Sequence, residues 1–292
     1  MTETHCLFRE AIRAAGLEPP AELQPGTIHR FPGFGKNPGN KAGWCLLFED
    51  GAGGCFGDWS CGLSTTWFAE SNTSRANVAL AKQARNTRKA IRHTLDARHT
   101  RAARRAQEIW RTAPAAPENH GYLATRGVRP QNARLHRQCL VLPITTFTGA
   151  ISSLQFIAPD GTKRLLRGGR KQGCFIAVNG DETQAQRIVI CEGWATGCTL
   201  AAEKPSALVL AAIDAGNLCS VAMSARHRWP IAELVVAGDD DRCTEGNPGA
   251  TKAREAALAS GAQLALPQWP ERAPKSLTDF NDLARWLAGD SV

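Results

Sequence analysis

Three carboxylates in the last third of this 292-residue chain stand where apolar runs stop abruptly. Arg187-Ile188-Val189-Ile190-Cys191 ends at Glu192-Gly193, and Glu233-Leu234-Val235-Val236-Ala237-Gly238 ends at Asp239-Asp240-Asp241. Short unbroken aliphatic runs, each followed by a glycine and a helix-like segment, suit parallel strands covered on both faces. Ligands of open α/β sheets sit beyond the carboxyl ends of such strands, so Glu192, Asp239 and Asp241 are expected to converge there. Like charges so placed call for a cation, and hard oxygen donors suit Mg²⁺ or Mn²⁺. Asp279 and Asp282 add two carboxylates at the start of a last helix, where an N-cap role accounts for one of them.

A second set of residues carries the opposite charge. Lys163, Arg164, Arg167, Arg170 and Lys171 place five cations within nine residues, interleaved with Gly168 and Gly169. Glycines let an anion approach the backbone, so this segment is expected to hold phosphate. Between Arg75 and Arg111 there are eleven Lys and Arg against two acids, which accounts for the whole +8 formal charge of the chain. Leu80, Ala84, Ile91, Leu95, Ala102 and Ile109 mark one narrow helical stripe there, and the arginines cover the other faces. Such a concentrated positive helix fits a polyanion, with Arg85, Arg88, Lys89, Arg92, Arg101, Arg104 and Arg105 as its contacts; a solvated spacer between domains is the plainer alternative.

The elements that position these groups divide the sequence into four stretches. Residues 1 to 72 begin with a short amphipathic helix carrying Phe8, Ile12 and Leu17, then turn to glycine, aromatic residues and short alternating runs such as Trp44 to Phe48 and Gly54 to Gly62, which is hairpin material. His29, Cys45, Cys55 and Cys61 fall in this stretch. Structural zinc sites use closely paired ligands, and gaps of ten and six residues supply no such pair. A metal-free sheet of Phe31, Trp44, Phe48, Phe56 and Trp59 is therefore expected, whose rings beside Arg30, Lys36 and Lys41 pack as core or stack single-stranded bases. Residues 73 to 112 form the basic helical linker, ended by Ala113-Pro114-Ala115-Ala116-Pro117. Residues 113 to 184 read as a basic β-rich subdomain, with an alternating run from Leu140 through Ile157, a turn at Asp160-Gly161, and the cationic strand after it. Residues 185 to 292 alternate strand and helix: strands at Ile188 to Cys191, Ala207 to Ala212, Leu234 to Ala237 and Gln263 to Leu266, with helices near Ala195 to Glu203, Asn217 to Arg226 and Pro248 to Ser260, a doubly wound parallel sheet.

Composition excludes several classes. No stretch of eighteen apolar residues exists to cross a membrane, and Met1 to Cys6 lack a basic then apolar leader, so a cytoplasmic protein with its ten cysteines reduced is expected. Glu192-Gly193-x-x-x-Gly197 is no dinucleotide fingerprint, because Gly-x-Gly-x-x-Gly is absent.

The ordered combination carries a resemblance. A strand ending in Glu192-Gly193 before a helix, followed by a strand ending in Asp239-x-Asp241, resembles the Toprim domain of bacterial primases, topoisomerases and several nucleases. His120-Gly121-Tyr122-Leu123 with Arg126-Gly127-Val128, Ser153 to Ile157 with Asp160-Gly161 and Lys163-Arg164, and a terminal Asp279-Phe280-Asn281-Asp282 are similar to the primase region of conjugative-plasmid TraC-type proteins and satellite-phage primase-helicases, over roughly residues 115 to 290. The resemblance implies synthesis of short primers on single-stranded DNA from nucleoside triphosphates, for replication or transfer of a plasmid, phage or integrative element. Asp239 and Asp241 would hold the metal, Glu192 would serve as a further ligand or as a general base, Asp279 and Asp282 would complete the cluster, and the Lys163 to Lys171 cations would hold triphosphate or template. A replicative helicase would be a separate partner. Phosphodiester cleavage by the same acids, and single-strand binding without turnover, are the rival classes.

Overall fold

The computed structural model describes residues 3–69, 74–183 and 185–290, the side chains of 3 and 74–91 excepted. The chain forms two compact units, Met1–Leu95 and Asp96–Val292. In the first, α1 (Glu3–Ala14) precedes an antiparallel meander of β1 (Ile28–Phe31), β2 (Gly43–Leu47), β3 (Gly53–Asp58) and β4 (Leu63–Phe68). Phe8 and Ile12, one helical turn apart, are fully buried against Phe31, Cys45, Leu47 and Phe56. The amphipathic spacing thus supplies the core that so small a sheet cannot make alone.

The boundary between the units falls inside α2 (Ser74–Thr112). Its last turns belong to the second unit: Ala106, Ile109 and Trp110 pack with Val141, Leu154 and Leu166, and the Arg134 guanidinium lies 4.4 Å over the Trp110 ring. The segment read as a linker is here partly core. Next come α3 (Gly121–Arg126) and an antiparallel sheet of β5 (Arg134–His136), β6 (Cys139–Thr145), β7 (Ile151–Ile157) and β8 (Lys163–Leu165). The alternating run expected from Leu140 to Ile157 is two strands, turned at Gly149 with φ +79°. The cationic strand stops at Leu165, because Gly168 (φ +86°) and Gly173 (φ +66°) take left-handed conformations that open a bend.

The remaining elements are β9 (Ile176–Asn179), β10 (Arg187–Cys191), α4 (Trp194–Glu203), β11 (Leu208–Ala211), α5 (Ala215–Arg228), β12 (Glu233–Ala237), α6 (Pro248–Ser260), β13 (Gln263–Ala265) and α7 (Phe280–Leu287). The sheet order is β13-β12-β10-β11-β9. Four strands are parallel as expected, but β9 pairs antiparallel with β11 at the edge, a strand that the reading of residues 185 to 292 as a wholly parallel sheet did not include. It enters from the bend after Gly173 without a crossover helix to reverse it. Both faces of the sheet are covered. Ile188 and Ile190 pack toward Leu218, Val221 and Ala253, while Val189 and Cys191 pack toward Trp194, Cys198 and the β6 residues Leu140 and Leu142. The two sheets of this unit therefore share one core. Among the described residues no helix is long and apolar enough to cross a membrane.

Candidate active site

The chain leaves β10 toward β11 on one side and later crosses to β12 on the other, so the carboxyl ends of β10 and β12 flank a point where strand order reverses. Glu192 follows β10 directly and Asp239 follows β12 after Gly238. A Cβ at residue 238 would stand 2.3 Å from Ala253 Cβ, so glycine is what lets α6 cross so near this strand end. Glu192, Asp239 and Asp279 line one cavity of about 70 Å³ together with Tyr122, Arg126 and Lys163. A wider recess of about 400 Å³ shares Tyr122, Arg126 and Lys163 and extends to Asp160, Asp282 and Arg285.

The acids differ in what already satisfies them. Asp282 Oδ1 accepts from Arg126 Nη1 at 3.1 Å, and its Oδ2 accepts from the Thr278 amide at 3.1 Å. Asp279 caps α7 by accepting from the Asp282 amide at 2.8 Å. Asp241 accepts from the Gly249 amide at 3.0 Å, at the start of α6. Asp240, between the two expected ligands, is spent on structure: it accepts from Asn247 Nδ2 at 2.6 Å and Trp269 Nε1 at 2.8 Å. Asp239 Oδ1, in contrast, is buried with no hydrogen-bond partner.

Electrostatics single out the same residue. Burial, then the charges of Glu192, Asp279 and Asp241, push the Asp239 carboxyl up to about 8, with Lys163 opposing. Burial first and Asp241 second raise Glu192, against a hydrogen bond from the Ala215 amide that favours its charged form. Burial and then Asp282 raise Asp279. Carboxylates that hold one another protonated in this way would be relieved by a cation. Among the described residues no three His, Cys, Asp or Glu side chains are gathered into a ready ligand shell. The residues fit Mg²⁺, which is commonly held by one or two carboxylates and keeps water or phosphate oxygens for the rest.

Of the five expected phosphate ligands, Lys163 lines the acid cavity, whereas Arg164, Arg167 and Arg170 are exposed along β8 and the bend after it. Lys171 forms an ion pair with Asp214. Arg92, Arg101, Arg104 and Arg105 are exposed on α2; the side chains of Arg85, Arg88 and Lys89 lie outside the described residues. The same helix approaches the cationic bend: a Cβ on Gly168 would lie 3.2 Å from Arg98 Cγ, and burial together with the Arg170 charge lowers the pKa of His99. The four residues weighed for zinc are not assembled. Cys45 is paired with Phe56, and Cys55 with Leu46 on the neighbouring register position, so the two thiols face opposite sides of the sheet. Burial pushes Cys45 up to about 12. His29 Nε2 accepts from the Gln24 amide at 2.8 Å, and Cys61 is exposed.

Sequence reading missed Arg126, Tyr122, Ile213 and Asp214 as parts of the site. Arg126 meets Asp282 across 156 positions, which no local pattern announces. Ile213 lines the acid cavity with φ +81°, an unusual conformation for a β-branched residue and one that marks a constrained turn.

Residues 187–288 match the family described as Toprim domain. The chain is 33% identical over 282 residues to a protein of Escherichia coli named DNA primase TraC, an alignment that covers 89% of this chain and 26% of that one. A second Escherichia coli protein of the same name is 31% identical over 283 residues, 89% of this chain and 19% of its own. The chain thus spans about a quarter or less of the length of these relatives. Among solved structures, the primase fragment of the bacteriophage T7 primase-helicase protein aligns over 90% of this chain and 95% of its own, with 11% identity and a TM-score of 0.39, too low a likeness to bear on fold or function.

Proposed function

We propose, from the premise that residues 187–288 are a Toprim domain, that this chain synthesises short primers on single-stranded DNA by transferring nucleotides from nucleoside triphosphates to a 3′-hydroxyl, with a new P–O bond formed at the α-phosphorus and pyrophosphate released. The observation that carries this is one cavity in which Glu192, Asp239 and Asp279 face Lys163 and Arg126 at the reversal point of the sheet. Identity to two proteins named DNA primase across most of this chain supports it.

In this reading Asp239 and Asp241 hold Mg²⁺ or Mn²⁺, with Glu192, Asp279 and Asp282 around them. When bound, such an ion neutralises charge on phosphate oxygens and lowers the pKa of a bound hydroxyl. The protein's own groups do the rest. Lys163 and Arg126 bind and orient the triphosphate, the guanidinium presenting a planar pair of donors suited to phosphate. Glu192, raised by burial and its neighbours, accepts the 3′-hydroxyl proton on one carboxylate oxygen. Arg164, Arg167, Arg170 and Lys171 hold template or triphosphate, and the α2 arginines hold template phosphates. A separate helicase would supply the opened strand, and a plasmid, phage or integrative element would be the DNA served.

Incubating the chain with single-stranded template, labelled nucleoside triphosphates and Mg²⁺ tests the proposal. New oligomers dependent on template support it. Shortened template in their place would make the site a nuclease, and binding alone would reduce the chain to a single-strand-binding protein.

A further inference from the structure

Between the Leu166 amide, which donates to the Leu154 carbonyl of β7 at 2.9 Å, and a bridge at Phe175, the bend that carries Arg170 and Lys171 pairs with no strand. Side chains replace the missing ladder: Ser152 Oγ on β7 donates to the Arg170 carbonyl at 2.9 Å, and Asn217 makes most of the remaining contacts. Asn217, on the first turn of α5 and fully buried, donates its two Nδ2 hydrogens to the carbonyls of Cys174 at 2.8 Å and Ala212 at 2.9 Å, shares one of them with the Lys171 carbonyl at 3.2 Å, and accepts through Oδ1 from the Gly173 amide at 2.9 Å. Only a primary amide offers donors and an acceptor in this arrangement, and the surrounding carbonyls fix which end is nitrogen.

Three of those contacts reach the bend and one reaches the carboxyl end of β11, so Asn217 is a staple between them. What lies at that strand end matters. Ala212 donates its amide to the Cys191 carbonyl at 2.8 Å, the residue before Glu192. Ile213, left-handed, lines the acid cavity. Asp214 takes the Lys171 ammonium, and Gln172 donates to Ser220 further along α5. The bend is therefore tied through Asn217 to the constrained turn at Ile213 and, by the Ala212 amide, to the strand end carrying Glu192.

We propose that Asn217 is a positioning residue that holds the Arg170–Gly173 bend in register with the acid site, so that Lys171 meets anionic substrate at a fixed distance from Glu192. The proposal deepens the primase reading and rests on it for the identity of the substrate. A buried amide whose only duty was to satisfy loop carbonyls would influence stability alone. A positioning residue has a further signature, because releasing the bend weakens substrate capture more than turnover at saturation.

The test is a double-mutant cycle on the full chain with Asn217→Ser and Lys171→Gln. Each variant is first melted to confirm a cooperative transition, and Asn217→Gln, which keeps the primary amide but displaces it by one methylene, replaces the serine variant if that one does not fold. The expected result is an apparent KM for template or nucleotide raised about tenfold by either change, kcat at saturation within about threefold of wild type, and a double variant no worse than the worse single one. A KM unchanged in Asn217→Ser, or effects of the two changes that simply multiply, would overturn the proposal and leave Asn217 a structural amide. The same cycle is run on the Kd for a fluorescein-labelled oligodeoxythymidine without nucleotide. If wild type binds the oligomer but makes no primers, the primase reading fails while coupling between Asn217 and Lys171 is still read from Kd. If wild type neither synthesises nor binds, both fail together.

Discussion

Asp239 has the most to lose among individual residues, since burial and three acidic neighbours hold its carboxyl up to about 8 while one of its oxygens has no partner. The sign follows from linkage. A carboxyl whose folded pKa lies above its unfolded value binds more protons when folded, so its contribution to stability is greatest in acid and is lost as pH rises from about 4 toward 8. Thermal melts of the metal-free protein should show Tm falling across that window, and the fall should be shallower in Asp239→Asn. Adding Mg²⁺ should raise Tm most at the alkaline end, where no proton competes with the ion. An equal slope in the variant would remove Asp239 from the electrostatic centre. On the proposed primase activity, Asp239→Asn should fold, bind single-stranded DNA and lose at least about a hundredfold in rate, the scale for removing electrostatic stabilisation of a transition state. Asp240→Asn, by contrast, should act mainly on stability, because that carboxylate serves Asn247 and Trp269.

Elements make different demands. Gly238 lets α6 pass close to the end of β12, and a methyl group there would collide with Ala253 Cβ and Leu266 Cδ2. Gly238→Ala should cost about 1 to 3 kcal/mol of stability by forcing helix and strand apart, and because the shift displaces Asp239, Mg²⁺ affinity measured by calorimetry should weaken as well. For α2, replacing Arg92, Arg101, Arg104 and Arg105 with Gln keeps helix propensity nearly constant. If these arginines touch phosphates, the slope of log affinity for single-stranded DNA against log salt should flatten by roughly 0.7 for each phosphate that is no longer neutralised. A slope that does not move would make the helix a solvated support whose last turns serve only the core. The elements around the acid site are legible because unbroken aliphatic runs and a Pro-led, Gly-ended helix leave little choice: α6 spans Pro248–Ser260, as its sequence signals require. The bend after Leu165 is not, since its glycines signal freedom without direction and Asn217, the buried residue that holds it at three points, stands some forty positions downstream.

At the scale of the whole molecule, chemistry and support come from distant parts of the chain. Glu192, Asp239 and the cations around Lys163 can be picked out because strand ends and charge clusters are local features, whereas Arg126, Ile213 and Asp214 join the site only through the fold. That separation also has a tempo. Arg126 meets its carboxylate only when Asp282, 156 positions later, has been made, and at about 5 to 20 residues per second a ribosome needs roughly eight to thirty seconds to travel between them. Late in that interval the nascent chain has β10 and β12 within reach of each other but no α7 to close the recess, so the acid cavity is the last part of this unit to mature during its synthesis.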